Sequence, residues 1–475
     1  MKRLISCVLA LLYVMAGFAS GTWILHGKEY RVDTLYHAYI GPGTTQTSIK
    51  LAGPVNLRVF YTTTDLKNEN VDVRAIKHKD TLTGLGTVSN AAESHSTSNR
   101  SYFAGINADF FSSSMPCGIT VVDGEVYCSD QASGWSLFGI DANKIPYSGG
   151  GDFYVKLTAP DYSTAELSAM NLERETNGLV LYSSRKGANT GTDGNGSEVV
   201  LIPDGEGNFL TPGATVRMRV QGNPNHAGSM PIPDNGYILS GSGTKESFVS
   251  NLSEGDEVEV RCAIRFNGFT GGKIQQALGG CPMLVSGGKV LDTENALDHL
   301  TSAQPRTAVG YNTEKNKLVM LVADGRSSIS VGPISKVLAD IMIYAGCSEA
   351  MNFDGGGSST FYVKGEGVIN QPSDGSERSV TDGLYLSTDA PQNDVTITTI
   401  RFMDYAKTLN QGDAYTPVIY GYNQYGVLVD RNVEGVTLSC GSSLGTITND
   451  GTTLNASGSG THMLTAGYGN LTTTL

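Results

Sequence analysis

The chain has 475 residues, with 46 acidic and 33 basic side chains, a formal charge of −13 and only 17 % charged residues, against about 25 % in an ordinary soluble domain. At 39 % apolar residues it is too hydrophobic for disorder, it lacks the basic excess that neutralising nucleic-acid phosphates requires, and no heptad pattern runs through it. Fifty-nine glycines and 22 tyrosines point to β-rich structure with tight turns, and the length allows two or three domains with ample core.

Met1-Lys2-Arg3 followed by an apolar stretch from Leu4 to Phe18, ending in small residues, reads as an export signal over residues 1–19, cleaved after Ala19. An apolar run of this length is short for a ~30 Å hydrocarbon core, so an uncleaved anchor is the lesser reading. The mature chain is expected in the periplasm, at the cell surface or outside the cell. Six cysteines follow the leader: Cys117, Cys128, Cys262, Cys281, Cys347 and Cys440. An oxidising compartment allows three disulfides in any of fifteen connectivities, with buried free thiols as the alternative. Cys117 and Cys128 frame a hairpin turning at Asp123-Gly124, yet a two-residue turn leaves them diagonally opposed at roughly 7–8 Å. Their pairing therefore requires a bulge, or each has another partner.

A helix is expected over Val88 to His95, and alternating apolar runs recur at Val55–Tyr61, Tyr102–Asn107, Leu179–Tyr182, Val199–Ile202, Val258–Ile264, Met283–Val285, Ala308–Tyr311 and Leu318–Ala323. His226 sits in a Gly/Pro/Asn-rich loop and reads as a solvated loop histidine. Ile334, Val337, Leu338, Ile341, Met342 and Ala345 form a helical stripe, opened by Pro333 and stopped by Gly346. A linker at Asp389–Asp394 leads into short strands over 394–475, a pattern similar to bacterial immunoglobulin-like β-sandwich modules. Gly441-Ser442-Ser443-Leu444-Gly445 matches a nucleophile elbow, but no helix follows it, so the match reads as coincidence.

The chemically informative stretch is Arg306 to Arg378. A strand ends at Asp324-Gly325-Arg326, the striped helix follows, and a second strand ends at Asn352-Phe353-Asp354 before Gly355-Gly356-Gly357-Ser358-Ser359. A helical crossover makes such strands parallel, which would bring Asp324 and Asp354 to one sheet edge, ~5–10 Å apart, as a carboxylate pair. The expected class is therefore α+β: a mixed-sheet catalytic domain over 20–390 with a βαβ unit near its C-terminal end, followed by the small all-β module. The glycine run offers backbone N–H groups for an anion, with the Ser358 and Ser359 hydroxyls as further donors. It is no Walker loop, since neither Gly272-Lys273 nor Gly288-Lys289 is followed by Ser or Thr. Two Asp-Gly turns and a glycine-rich bend are common loop features taken singly. Their convergence beside Arg306, Arg326 and Arg378 is what favours a site, although Arg326 reads equally well as a structural ion pair.

Asn352 through Ser359, Arg306-Thr307-Ala308-Val309-Gly310 and Asp324-Gly325-Arg326 resemble the motifs of the phosphodiester glycosidase family. Further matching pieces are Gly105 through Phe111, Leu278 through Leu284, and Asn370-Gln371-Pro372 leading to Glu377-Arg378. Asp109 departs from the small residue usual at its position, and Ser330-Val331-Gly332-Pro333 replaces a Gly-Met-Thr stretch. The resemblance implies hydrolysis of a sugar-1-phosphodiester to free sugar and phosphomonoester, with a carbohydrate phosphodiester as the partner. Asp354, Asp324, Asn107 and Arg306 would be catalytic. Gly355, Gly356, Gly357, Ser358, Ser359, Arg378, Asn370, Asn352 and Asp109 would bind the substrate and its phosphate. No zinc or EF-hand signature and no cofactor motif is present, while calcium on loop carboxylates and the oligomeric state stay open. The competing functions are a non-catalytic binder of glycan or anionic polymer, and a phosphodiesterase that cleaves P–O.

Overall fold

The computed structural model describes residues 21–130, 135–205, 209–267, 272–293 and 301–475. The leader expected at 1–19 lies outside them. Among the described residues strand accounts for 47 % and helix for 8 %, so the expected α+β class is overturned. The architecture is a stack of mostly antiparallel sheets. Period-two alternation dominates the sequence, whereas a helical stripe of useful length occurs only around residue 340, and the two periods bury different faces.

The largest sheet has nine strands, in the order Gly21–Leu25, Lys28–Gly41, Thr44–Ala52, Asn56–Asp65, Lys317–Ala323, Arg306–Tyr311, Glu349–Asn352, Met283–Ser286 and Lys289–Val290. Every ladder in it is antiparallel. Lys317–Ala323 shows how the sheet is buried on both faces: Leu318, Met320 and Val322 enter one core, and Val319, Leu321 and Ala323 enter the other. Helix Ser335–Tyr344 covers the second face with Val337, Leu338, Ile341 and Met342. Gly346 beyond its end has φ 100°, a backbone state that glycine adopts without steric cost.

The expected βαβ unit is corrected by this order. Lys317–Ala323 and Glu349–Asn352 are not hydrogen-bonded to each other. Arg306–Tyr311 lies between them and pairs antiparallel with both, Arg306 opposite Ala323 and Ala308 opposite Asn352. The inserted strand comes earlier in the chain, where the strand–helix–strand pattern gives no sign of it.

A five-stranded antiparallel sheet, ordered Gly367–Val368, Phe361–Val363, Ser101–Asn107, Asp382–Thr388, Asp72–Lys77, packs on the first face. Phe103, Ile106, Leu384 and Leu386 meet Val309, Met320, Val322 and Met351 there, joined by Phe138, Ile140 and Leu278 of a second five-stranded sheet. Helix Val88–His95 sits beside the Ser101–Asn107 strand, with Thr87 as its N-cap accepting from the Asn90 N–H. An eight-stranded sheet, from Thr164–Glu166 to Ala169–Met170, shares a separate core with the second five-stranded sheet. The C-terminal strands from Thr399–Phe402 to Leu471–Thr474 form three three-stranded sheets around Ile400, Ile419, Leu438, Leu454 and Leu464.

All six described cysteines are free thiols, the alternative to the three bridges that an oxidising compartment allows. In the hairpin, Cys128 stands opposite Thr120 after a bulge that follows Val126. Cys117 falls before the paired segment, out of reach of the register that was meant to oppose it. Burial pushes the Cys128 thiol up to about 12, which disfavours the thiolate that disulfide exchange needs.

Candidate functional site

Both central sheets deliver chain ends to one place. The nine-stranded sheet brings the start of Arg306–Tyr311, the end of Lys317–Ala323 and the end of Glu349–Asn352. The five-stranded sheet brings the end of Ser101–Asn107 and the start of Asp382–Thr388. Because Arg306–Tyr311 is antiparallel to both neighbours, the ends carrying Asp324 and Asp354 lie on the same edge, about 10 Å or two strand spacings apart.

Asn107 fastens the two sheets together. Fully buried, it donates from Nδ2 to the Asp354 carbonyl at 2.7 Å, while its Oδ1 accepts from Thr307 Oγ1 at 2.7 Å and from the Thr360 N–H at 3.1 Å. The Asp354 N–H donates to the Ala108 carbonyl at 2.8 Å. The Asp354 backbone is thereby held at both ends, with its side chain half-buried. Burial pushes the Asp354 carboxyl up to about 6, opposed by Ser358, Arg378 and the Gly355 N–H, and Asp382 adds to the rise.

Asp324 is buried to 2 % exposure. Its Oδ1 accepts from the Gln371 N–H at 2.8 Å and from Asn370 Nδ2 at 3.4 Å. Asn370 in turn donates to the Ser359 carbonyl at 3.0 Å and accepts from the Phe361 N–H at 2.7 Å. Asp324 and Asn370 thus anchor the segment leaving the glycine turn. Burial raises the Asp324 carboxyl above its ordinary range. Asn352 is also fully buried and donates to the Cys281 and Phe353 carbonyls.

Gly356–Ser358 is a 3₁₀ turn. N–H groups here are used inside the chain: Gly356 donates to Pro305 and Ser358 to Gly355, and the Ser359 N–H that follows donates to Gly356. The cations crowd it instead. A Cβ on Gly356 would lie 2.9 Å from Arg326 Nη2, one on Gly355 would lie 3.8 Å from Arg306 Nη1, and one on Gly357 would collide with the Arg378 guanidinium and the Asp374 carboxylate. Gly356 and Gly357 lack side chains where Arg326 and Arg378 approach, whereas at Gly355 the close neighbour is the Pro305 carbonyl. Arg378 pairs with Asp374 at 2.6 Å and donates to Ser358 Oγ at 3.4 Å.

Arg306 is buried to 2 % exposure and donates to the Ser302 carbonyl, while its Nε meets no protein partner. Burial, then the neighbouring Arg326 charge, lowers it to about 10. Arg326 is exposed, with φ 58°, and donates to Gln304 Oε1 at 2.8 Å and to Ser373 Oγ at 3.4 Å. Neither arginine has a carboxylate partner among the described residues, so Arg326 is not the structural ion pair that its sequence position equally allowed.

Asp109 lies behind this front. Its N–H donates to Asp382 Oδ1 at 2.9 Å, and its own Oδ2 accepts from the Gly118 N–H at 2.9 Å and the Gly279 N–H at 3.3 Å. Both carboxyls are buried, and both are raised by that burial. Lys77 is the cation in reach of Asp382, with its ammonium on the Gly84 and Thr381 carbonyls. Asp382 and Thr360 join the arrangement without having been singled out in the sequence, and Thr307 and Gln371, quoted there only as parts of motifs, had no role assigned, because each acts through a partner remote in the chain. Asp109 Oδ1, Asp324 Oδ2, Asn352 Oδ1, Ser359 Oγ and Thr360 Oγ1 are buried without a protein hydrogen bond, an unusual gathering of unsatisfied groups in one region. Among the described residues no His/Cys/Asp/Glu cluster could hold a metal, and no helix is long and apolar enough to cross a membrane.

Residues 212–387 match the model of the phosphodiester glycosidase family. Over 88 residues the chain is 40 % identical to the uncharacterised SPbeta prophage-derived protein YomE of Bacillus subtilis strain 168, a segment covering 18 % of this chain and 13 % of that protein. A hypothetical protein from Synechocystis superposes with TM-score 0.56 and 16 % identity, over 73 % of this chain and 62 % of the other. A Burkholderia pseudomallei K96243 protein described as exported superposes with TM-score 0.55 and 17 % identity, over 76 % and 97 %. At these identities the two structures share the fold. The chain spans less than two thirds of the length of YomE and of the Synechocystis protein. Arg306, Asp324, Asp354, the glycine turn, Asn370 and Arg378 all fall within the matched segment. The chain carries, over residues 212–387, a domain of the phosphodiester glycosidase family.

Proposed function

We propose that this chain is an exported glycosidase that hydrolyses the C–O bond of a sugar-1-phosphodiester. The observation that carries the reading is the pair Arg306 and Arg326, two guanidiniums facing one glycine turn without a carboxylate partner among the described residues, beside a carboxyl pushed up to about 6. Like charges left together in this way suit a bound anion, and guanidinium forks suit phosphate oxygens.

In the proposed step, water attacks the anomeric carbon and Asp354 takes its proton or stabilises the oxocarbenium-like charge. The glycosidic C–O bond breaks, and its electron pair leaves with the phosphate as a monoester. That leaving group has a second pKa of ~6, far below a sugar alkoxide, so a strong general acid is unnecessary. Arg306, Arg326 and Arg378 meet the developing charge, while Asp324, Asn107, Asn352 and Asn370 hold the backbone that positions them. Asp109 belongs to the buried support behind Asp354. The mainly antiparallel strand ends bring these residues together where a parallel sheet edge was expected to do so. Export is supported by the sequence of the first nineteen residues.

The test is release of sugar from a soluble sugar-1-phosphodiester, lost in Asp354→Asn with the fold intact. Oxygen-18 water should label the sugar. Label in the phosphate would indicate P–O cleavage, and tight binding without turnover would indicate a glycan-binding protein.

A further inference from the structure

Away from Asp354, a groove of about 330 Å³ opens where strand Lys28–Gly41 meets strands Thr399–Phe402 and Ile419–Tyr422, a size at the lower end of small-ligand sites. Arg401 lays its guanidinium over the Tyr39 ring, 4.4 Å from the centroid. The buried Tyr422 donates its hydroxyl to the Tyr39 carbonyl at 2.9 Å, fixing the platform from below. Arg401 has no acidic partner among the described residues, although the chain carries a formal charge of −13.

Around it, Asn68, Asn70 and Tyr425 line the same groove, and Asn68 Nδ2, the Asn70 side-chain amide and the Tyr425 hydroxyl make no hydrogen bond to another described residue. Asn68 Oδ1 accepts from the Asn70 N–H at 2.9 Å, which turns its amide nitrogen away from its own backbone. The groove therefore combines a held cation, an aromatic wall and unspent amide and hydroxyl groups. An unpaired guanidinium selects an anion, amides satisfy sugar hydroxyls, and a tyrosine face packs on the C–H face of a pyranose.

We propose that this groove is a second binding site, for a phosphorylated saccharide unit. The anionic saccharide class is read from the lining alone, whereas the choice of phosphate as the anion rests on the function proposed above.

The test is calorimetric titration of the full chain with α-N-acetylglucosamine 1-phosphate, in Asp354→Asn so that no turnover intervenes. Two equivalents should bind, falling to one in Arg401→Gln and, at the other site, to one in Arg326→Ala. Asn70→Ala and Tyr425→Ala, which remove no core contact, should weaken the groove site at least fivefold with unchanged melting. Hydrolysis of a short soluble diester by otherwise wild-type chain should be unaffected by Arg401→Gln. Stoichiometry indifferent to Arg401→Gln, Asn70→Ala and Tyr425→Ala, or equal binding of neutral N-acetylglucosamine in the groove, overturns the proposal. An Arg401-dependent site in a chain that hydrolyses no phosphodiester leaves the groove standing and removes the catalytic reading.

Discussion

Arg306 and Arg326 bring a buried and an exposed guanidinium to the same glycine turn, close enough for the Arg326 charge to help lower Arg306 to about 10. Two cations without an acid between them repel, and a bound phosphate relieves the repulsion. A charge-assisted hydrogen bond contributes about 1.5–3 kcal/mol, so Arg326→Ala should lower kcat/KM on a sugar-1-phosphodiester by roughly 10–100-fold. Its partners are Gln304 and Ser373 at the surface, and the melting temperature should hardly move. Arg326→Lys should recover only part of the loss, because an ammonium lacks the planar fork. Steady-state kinetics on these two variants check the assignment, and full activity in Arg326→Ala removes Arg326 from the site.

The position of Asp354 predicts a pH profile. Acting as base, the carboxyl must be ionised, so kcat/KM should climb with pH and level off above about 6. Stability runs the other way. A carboxyl whose folded pKa is raised favours the fold most below its ordinary value, and that contribution is lost as pH rises through about 6. Asp354→Asn should therefore be inactive yet more stable than wild type at pH 7, by about 1–2 kcal/mol given its partial exposure. At pH 4 the two should melt together. A variant less stable at both pH values would contradict the burial argument.

Asn107 is the single side chain joining Asp354, Thr307 and Thr360. Asn107→Ala removes three hydrogen bonds at a fully buried point and strands the donors of Thr307 and Thr360, a penalty of about 1–3 kcal/mol for each group left unsatisfied. Denaturant unfolding should show a loss of roughly 3–5 kcal/mol, with activity falling as well because the Asp354 backbone is freed. Unchanged stability would mean that the two sheets are held together elsewhere.

What the sequence made legible was local. Pro333, the stripe from Ile334 to Ala345, and Gly346 marked a helix observed at Ser335–Tyr344. The Leu318–Ala323 alternation marked a strand buried on both sides. The arginines were visible as neighbours of a glycine run. Contacts remote in the chain were not: Asn107 meets Thr307 across 200 positions and Thr360 across 253, and no periodicity records such a meeting. The same blindness produced the parallel-sheet inference, since nothing between Asp324 and Asp354 reveals that Arg306–Tyr311 inserts between their strands. The use of the glycine N–H groups was hidden as well, because it depends on where the Pro305 carbonyl comes to rest.

Asp109 and Asp382 share a buried space with Lys77, and burial raises both carboxyls. Asp109→Asn keeps an oxygen able to accept from Gly118 and Gly279 but has no proton to lose. With folded values above the unfolded ones, the wild-type pair costs stability as pH rises out of the ordinary carboxylate range, and the variant avoids that cost at position 109. Thermal melts between pH 4 and pH 9 should show the variant gaining on wild type as pH increases. A gap that narrows with rising pH would place the pair in a polar setting rather than an apolar one.

Gly356 and Gly357 separate backbone strain from site geometry. Gly356 has φ 62° and its Cβ would press on Arg326, whereas Gly357 has no such backbone constraint and the atoms nearest its Cβ would be the movable ends of Arg378 and Asp374. Gly356→Ala should cost about 1 kcal/mol of stability from the left-handed backbone, as well as activity. Gly357→Ala should melt within about 3 °C of wild type, because side-chain ends yield easily, yet it displaces Arg378 from Ser358 and from the Asp354 charge. The expected result is a tenfold or greater loss in kcat/KM with the fold intact, read from parallel melting curves and kinetics on a sugar-1-phosphodiester. Should Gly357→Ala remain fully active, Arg378 serves only its ion pair with Asp374, and the anion is held by Arg306 and Arg326 alone.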